Sequence, residues 1–209
     1  MALATNALLT AEQLGDILGT GAGGSASLIE DVIASASSMI ERFLAGRQLV
    51  TRGALTEYYS PRGDSSGLYL NQYPIISVTS VHETYARTYD ATTLLVVDTD
   101  YVIETDEGAL VRVAGATYGP TPWAGGYRAV KAIYVAGYKS PSGGAVGTAL
   151  PADLVAIARR LCARMWKEQE RRQWDVSSQS DAAGNFTRFG AATLTDAEKD
   201  ALMPYMRWR

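Results

Sequence analysis

The 209-residue chain is poor in the residues from which most reactive sites are built. Its single cysteine, Cys162, excludes an intramolecular disulfide and any cysteine-based zinc cluster. Its single histidine, His82, leaves one ring around which a triad or a histidine-ligated metal would have to be assembled. No run of about 18 apolar residues occurs, so no transmembrane helix is expected. The opening MALATNALLTAEQLGDIL has no basic segment and leads into a capped amphipathic stretch. No secretory signal is expected, and the protein should stay in the cell that makes it. Charge of one sign is lacking too. The 19 Lys and Arg against 22 Asp and Glu leave a net charge of −3, which gives no global attraction to nucleic acid.

What is present is pattern. Thr10 and Gln13 have the spacing of a capping box before a short helix, AEQLGDIL. A Gly/Ser-rich linker follows at 19–27. Ser27 and Glu30 repeat the capping box before a helix that runs to about Ala45, with Gly46 as its C′ stop. The apolar stripe of that helix is Leu28, Ile29, Val32, Ile33, Ala36, Met39, Ile40, Phe43 and Leu44, the spacing of a helix buried on one face. From Leu49 to Tyr138 the chain turns to Val, Thr, Tyr and Ile broken by Gly and Pro. Strands are expected at ALTEYYS, GLYL, SVTSVHETYA, TLLVV, YVIET, ALVRV and AVKAIYVAGY, with a hairpin at Asp106, Glu107 and Gly108. A second long helix opens at LPADL, with Leu154, Ile157, Ala158, Leu161, Met165 and Trp166 as its buried stripe. Residues 175–193 read as mobile, and Thr195 with Glu198 caps a last short helix that ends in PYMRWR.

These elements predict an α+β fold. Two long antiparallel helices with short terminal helices form a bundle, and an antiparallel β-rich subdomain is inserted between them. The expected organisation is 1–26 as short helix and linker, 27–48 with 139–174 as helical core, 49–138 as inserted β-subdomain, and 175–209 as mobile segment and docking tail.

The candidate chemistry is thin. GTGAGG matches a dinucleotide fingerprint at Gly19, Gly21 and Gly24, but that reading needs a strand before it, and AEQLGDIL reads as helix. His82 has Ser80 and Glu83 close by in sequence, but adjacent strand residues point to opposite faces, so a half-exposed strand histidine is the better reading. Asp98, Asp100, Glu104, Asp106 and Glu107 lack the central glycine of a calcium loop and suit strand ends and a turn. Cys162 lies on the apolar side of its helix and is expected to pack. No enzyme, metal or cofactor is implied.

Contact residues are more informative. Arg159, Arg160, Arg164, Lys167, Arg171 and Arg172 share one helix. They are either a solvated face laced with Glu168 and Glu170, or a surface for a neighbouring subunit or for phosphate. Tyr205, Arg207, Trp208 and Arg209 end the chain with residue types enriched at interface hot spots, and Phe186 and Phe189 are isolated aromatics in the mobile stretch. A rival reading uses Tyr58, Tyr59, Trp123 and Tyr127 as an exposed aromatic platform, with the nearby acids, for carbohydrate binding or hydrolysis. A DNA-binding module is a third option.

The order of YLNQYPIISVTSV, DYVIETDEGALVRV, AIYVAGYKS and LPADLVAIARRLCARMW over residues 27–172 resembles the head–tail connector (adaptor) proteins of tailed bacteriophages. The resemblance lies in a Leu before a Tyr-Pro turn, Ile-x-Ser-Val, an Asp-Tyr strand, a Gly hairpin, Tyr-x-Ala-Gly-Tyr and a Pro-Ala-Asp-Leu helix start. It implies a non-enzymatic ring, usually of twelve subunits, in the virion neck beneath the portal protein, made in the host bacterial cytoplasm. Such a ring extends the DNA channel and receives the next neck, stopper or tail-terminator protein. It also implies portal docking through Tyr205, Arg207, Trp208 and Arg209, with Phe186 and Phe189 as further candidates. In such a ring the bases at 159–172 would be candidates for contact with a neighbouring subunit or with DNA in the channel.

Overall fold

Two long amphipathic stretches bracket the strand-rich middle of the chain, and the computed structural model shows how each part closes its own core. It describes residues 4–19, 26–114, 119–143, 147–171, 178–180, 186–188 and 193–206. The chain divides into two compact units. One comprises Met1–Arg47, Ser140–Gly143 and Leu150–Arg209, and the other Gln48–Lys139 and Gly144–Ala149. The fold is mixed α+β with antiparallel sheets.

The helical unit contains α1 (Ala11–Leu18), α2 (Ala26–Phe43), α3 (Ala152–Arg171) and α4 (Asp196–Leu202), followed by a 3-10 turn at Met203–Tyr205. α2 packs on α3, α1 touches both, and α4 packs on α3. Ile29, Val32, Ile33, Ala36 and Ile40 of α2 and Leu154, Ile157, Ala158 and Leu161 of α3 are buried. Leu28, expected in the stripe, is 45% exposed. Ser37 is buried on α2, where its hydroxyl accepts the Leu8 N–H at 3.1 Å, so the polar group is satisfied and pins the N-terminal segment.

Capping boxes form at Thr10/Gln13 and at Thr195/Glu198. α2 is already helical at Ala26, one residue before Ser27. At the other end of α2 the Gly46 N–H bonds Glu41 O at 2.9 Å and the Ala45 N–H bonds Arg42 O at 3.2 Å. This is a Schellman closure with Ala45 at C′ (φ 59°) and Gly46 one residue later (φ 79°). The expected stop at Gly46 is therefore displaced by one residue.

The β unit has a four-stranded sheet in the order β1 (Ala54–Tyr59), β7 (Val130–Ala136), β3 (Ile75–Glu83), β4 (Leu94–Leu95). A three-stranded sheet runs β2 (Gly67–Tyr69), β6 (Ala109–Arg112), β5 (Tyr101–Glu104). Leu68, Leu70, Tyr101 and Leu110 share one core with Ile75, Val81, Val130, Ala132, Tyr134, Ala136 and Trp123. On β7 the core residues alternate. Their partners on β3 are Ile75, Val78 and Val81, three apart, because the ladder shifts register between Ile75 and Ser77 and again between Val78 and Ser80. Each shift inserts one residue, which turns a period of two into a period of three.

Gly137 (φ 116°) lies where the segment Leu49–Thr51 crosses it. A Cβ there would stand 2.9 Å from Thr51 N and 3.1 Å from Leu49 O. Only glycine fits both the backbone angle and the gap. In the segment expected to be mobile, Ser178–Ser180 (β8) pairs antiparallel with Phe186–Arg188 (β9). SQS and FTR hold no run of β-branched or aromatic residues, so the sequence does not mark this ladder.

Candidate functional site

The polar side chains that look available for chemistry turn out to tie elements together. Tyr59 and Tyr134 both donate their hydroxyls to Glu57 Oε2, the Tyr134 bond being 2.6 Å. The same hydroxyls accept the N–H groups of Asn71 (3.1 Å) and Gln72 (3.2 Å). Burial, reinforced by the Glu57 carboxylate, pushes both phenols above their ordinary range. The corner before the cis Tyr73–Pro74 bond is thus held at two backbone amides. Gln72 completes the fixing, its side-chain oxygen accepting the Gln48 N–H at 2.7 Å.

Glu83 makes a second tie. It accepts the Arg112 Nε–H at 2.9 Å and the Ala124 N–H at 2.6 Å, so one carboxylate joins β3, β6 and the loop that carries Trp123. Arg112 also donates to Asp100 O and Val113 O at 2.6 and 2.7 Å. The acidic stretch is therefore divided. Asp100 faces Arg112 and accepts the Val96 N–H, while Glu104, Asp106 and Glu107 are exposed at and beside the hairpin turn.

His82 is half-buried on β3, with its Nδ1 3.2 Å from the Thr93 hydroxyl and neither Ser80 nor Glu83 as its partner there. Cys162 is buried, and burial pushes its thiol up to about 12, which leaves it neutral and unreactive. α1 precedes the glycine-rich segment and ends at Gly19 in the left-handed region. Gly21 and Gly24 lie outside the described residues. Among the described residues no group of three His, Cys, Asp or Glu could hold a metal ion, and no helix is long and apolar enough to cross a membrane.

The basic helix sorts into different roles. Arg159, Arg160 and Lys167 are exposed. Arg164 grips Glu198 with both terminal nitrogens, at 2.9 and 2.6 Å, and donates to Thr193 O at 3.0 Å. Burial acts to raise the Glu198 carboxyl, but Arg164 and Thr195 together outweigh it and the net shift is downward. Arg164 is thus spent on holding α4 to α3 and is not a free contact residue. The Arg171 side chain and all of Arg172 lie outside the described residues.

Tyr205 is engaged as well. Its hydroxyl donates to the Asp153 carboxylate (2.7 and 2.8 Å), and its carbonyl accepts Arg47 Nη1 at 2.7 Å. The root of the C-terminal segment is pinned to its own unit. Arg207, Trp208, Arg209, Phe189 and the Phe186 side chain lie outside the described residues.

The aromatic platform does not form. Trp123 is 1% exposed in the core and Tyr59 is turned inward to Glu57. A different cluster forms instead, on the outer face of the four-stranded sheet. Tyr58, Lys131 and His82 sit side by side in register across β1, β7 and β3. The Arg128 guanidinium lies 3.9 Å from the Tyr58 ring centroid and Lys131 Nζ lies 5.4 Å from that of Tyr89. The Tyr58 and Tyr89 rings are 5.5 Å apart, and the Tyr89 hydroxyl donates to Arg128 O at 2.6 Å. Tyr127, next in chain, is 71% exposed. Sequence reading missed this cluster because only the register brings positions 58, 82 and 131 together.

Similar folds occur among solved structures. A chain from the neck of an empty GTA particle, computed with C6 symmetry, is 22% identical, with 88% of each chain covered and a TM-score of 0.52. A chain from the neck of a native GTA particle, computed with C12 symmetry, is 19% identical over 88% of this chain and 87% of that one, with a TM-score of 0.54. A third, from the virion of a native gene transfer agent particle, is 23% identical over 88% of each chain, also at 0.54. The coverage takes in residues of both units, and at these identities the likeness is one of fold. No protein-family model matches the chain, and no curated protein sequence matches it.

Proposed function

We infer that this chain is a head–tail connector (adaptor), a non-enzymatic structural subunit of a phage-like neck. The observation that carries the reading is the fold, held in common over 88% of the chain with chains from the necks of GTA particles. The C6 and C12 symmetries of those necks support a ring as the assembled form, with twelve subunits the expected number. In this reading α2 and α3 are the two long antiparallel helices of the ring body. The β unit is an insertion between them, and 175–209 carries the docking tail. The ring binds the portal protein, extends the DNA channel, and offers a platform to the next neck or tail protein in the virion. It is made in the host bacterial cytoplasm.

The residues sort accordingly. Arg159, Arg160, Lys167, Arg171 and Arg172 face a neighbouring subunit or the passing DNA. Arg207, Trp208 and Arg209 reach the portal from an anchor at Tyr205, with Phe186 and Phe189 as further contacts.

The test is electron microscopy of the purified chain, alone and mixed with the portal protein of the same particle. The informative truncation ends after Met206, because residues 195–205 are built into the helical unit and their removal would unfold it. A ring that caps the portal and is lost on truncation establishes both reading and tail. A ring that survives truncation moves docking elsewhere. Absence of portal association in any form overturns the reading.

A further inference from the structure

The cluster on the outer face of the four-stranded sheet has the composition of an interface anchor rather than of ordinary surface. Tyr and Arg are the residues most enriched at binding hot spots, and here they are held in place before any partner arrives. The Arg128 guanidinium lies over the Tyr58 ring, and the Tyr89 ring meets Tyr58 at a tilt of 53°. The Arg128 backbone is fixed by its N–H to Ser60 Oγ (2.9 Å) and by its carbonyl to the Tyr89 hydroxyl. Its φ is 53°, an angle that non-glycine residues rarely adopt. Arg128 and Lys131 make the patch cationic. Asp90, in the loop beside Tyr89, is turned to the N–H and hydroxyl of Thr92.

The same unit carries an acidic counterpart. Glu104, Asp106 and Glu107 are exposed at the β5–β6 turn. That turn lies beside the start of β3, where the Ile75 N–H bonds Thr105 O at 2.9 Å. The cationic patch lies at the other end of β3, around His82. Seven residues of strand separate the two, roughly 20 Å at about 3.3 Å per residue. They also belong to different sides of the core: the hairpin is in the three-stranded sheet, while Tyr58 and Lys131 are on the face of the other sheet that points away from it. Two complementary patches that cannot meet within one chain suit a head-to-tail contact, in which one surface of each copy meets a different surface of the next.

We propose that the Tyr58–Tyr89–Arg128–Lys131 patch of one copy receives the Glu104–Glu107 hairpin of a second copy of this chain. The inference rests on the ring reading above and names one of its subunit contacts.

The experiment is cross-linking of two full-length single-site variants, Tyr127→Cys and Thr105→Cys, mixed at high concentration and in the presence of the portal protein. A short bismaleimide is the reagent. Cys162, buried and protonated, stays silent. A mixed dimer is expected, with little product from either variant alone. Adding Arg128→Glu and Lys131→Glu to the first variant should cut the yield about tenfold. Adding Glu104→Lys and Asp106→Lys to the second should then restore it. Absence of the mixed product while rings still form on the portal overturns this pairing and leaves the ring reading standing. Absence of both product and rings overturns both. Binding of a 20-base-pair duplex that is lost in the Arg128→Glu/Lys131→Glu variant, without the mixed product, would assign the patch to nucleic acid and overturn the proposal.

Discussion

Replacing Arg164 by Met tests whether the C-terminal helix is held by a charge pair. Glu198 is 5% exposed at its side chain and Arg164 23%, and two bonds of 2.9 and 2.6 Å join them. Opposite charges about 4 Å apart attract by roughly 4 kcal/mol at an effective dielectric constant of about 20. Desolvation of the carboxylate takes back part of this, and the partial exposure of Arg164 takes back more. A coupling of about 2 kcal/mol remains, measurable by a double-mutant cycle with Glu198→Gln. Gln keeps the capping-box acceptor while removing the charge. Arg164→Met alone strands a buried carboxylate and should cost about 3 kcal/mol, or roughly 6–12 °C for a chain of this size. The double variant should cost less than the sum of the two single ones. Because Glu198 is held below its ordinary value, its contribution is fully present above the unfolded carboxylate range and is lost as pH falls through the depressed value. The gap between wild type and Arg164→Met should therefore narrow in acid. The readouts are thermal denaturation and hydrogen exchange at the α4 amides, which report on this unit separately. A loss below about 0.5 kcal/mol, or α4 exchange unchanged from wild type, would refute the argument.

Three further outcomes follow from the same kind of reasoning. Gly137→Ala should destabilise the β unit by roughly 2–4 kcal/mol in urea, since Cβ meets two backbone segments at a positive φ; an unchanged midpoint would contradict the crossing geometry. Tyr59 and Tyr134 should stay protonated well past the ordinary tyrosine range in a spectrophotometric titration. Their contribution to stability is whole below about pH 10 and falls as pH rises beyond it, because the unfolded chain ionises first; two phenols titrating normally in the folded protein would count against the Glu57 network. Cys162 should react with a thiol reagent only as fast as the helical unit opens, and rapid modification of the native protein would show that the thiol is not packed.

The sequence was most legible where one local rule suffices. The Thr10/Gln13 and Thr195/Glu198 capping boxes each depend on four consecutive residues, and both form as read. The seven strand segments were visible from β-branched and aromatic runs closed by Gly or Pro. Reading failed where the outcome depends on a partner strand. Ile76 and Val78 alternate on paper with Val81 offset, which implies a break in register; the core takes Ile75, Val78 and Val81, because two bulges add a residue each. The offset announces a break, but its two positions are set by the pairing with β7. Trp123 looked like exposed platform material and is core, in a loop whose Ala124 N–H donates to the Glu83 carboxylate. Likewise Arg164 reads as one of six bases on a helix until Glu198, 34 residues on, proves to be its partner.

Three partly buried carboxylates account for much of what holds these surfaces in shape, and each works by joining elements that hydrophobic contact alone would leave free to slide. Glu57 takes two tyrosine hydroxyls whose other lone pairs fix the Asn71–Gln72 corner. Glu83 joins both sheets and a loop. Glu198 locks α4 to α3 while capping its own helix. A carboxylate has two oxygens and so can take donors from two directions, which an apolar side chain cannot do. Its burial is tolerated only when those donors are present, so each one also specifies which elements must meet. Each carboxylate is engaged in holding neighbouring elements in place. On the connector reading proposed above this arrangement has a use, because rigidity in a free subunit lowers the ordering cost of assembly.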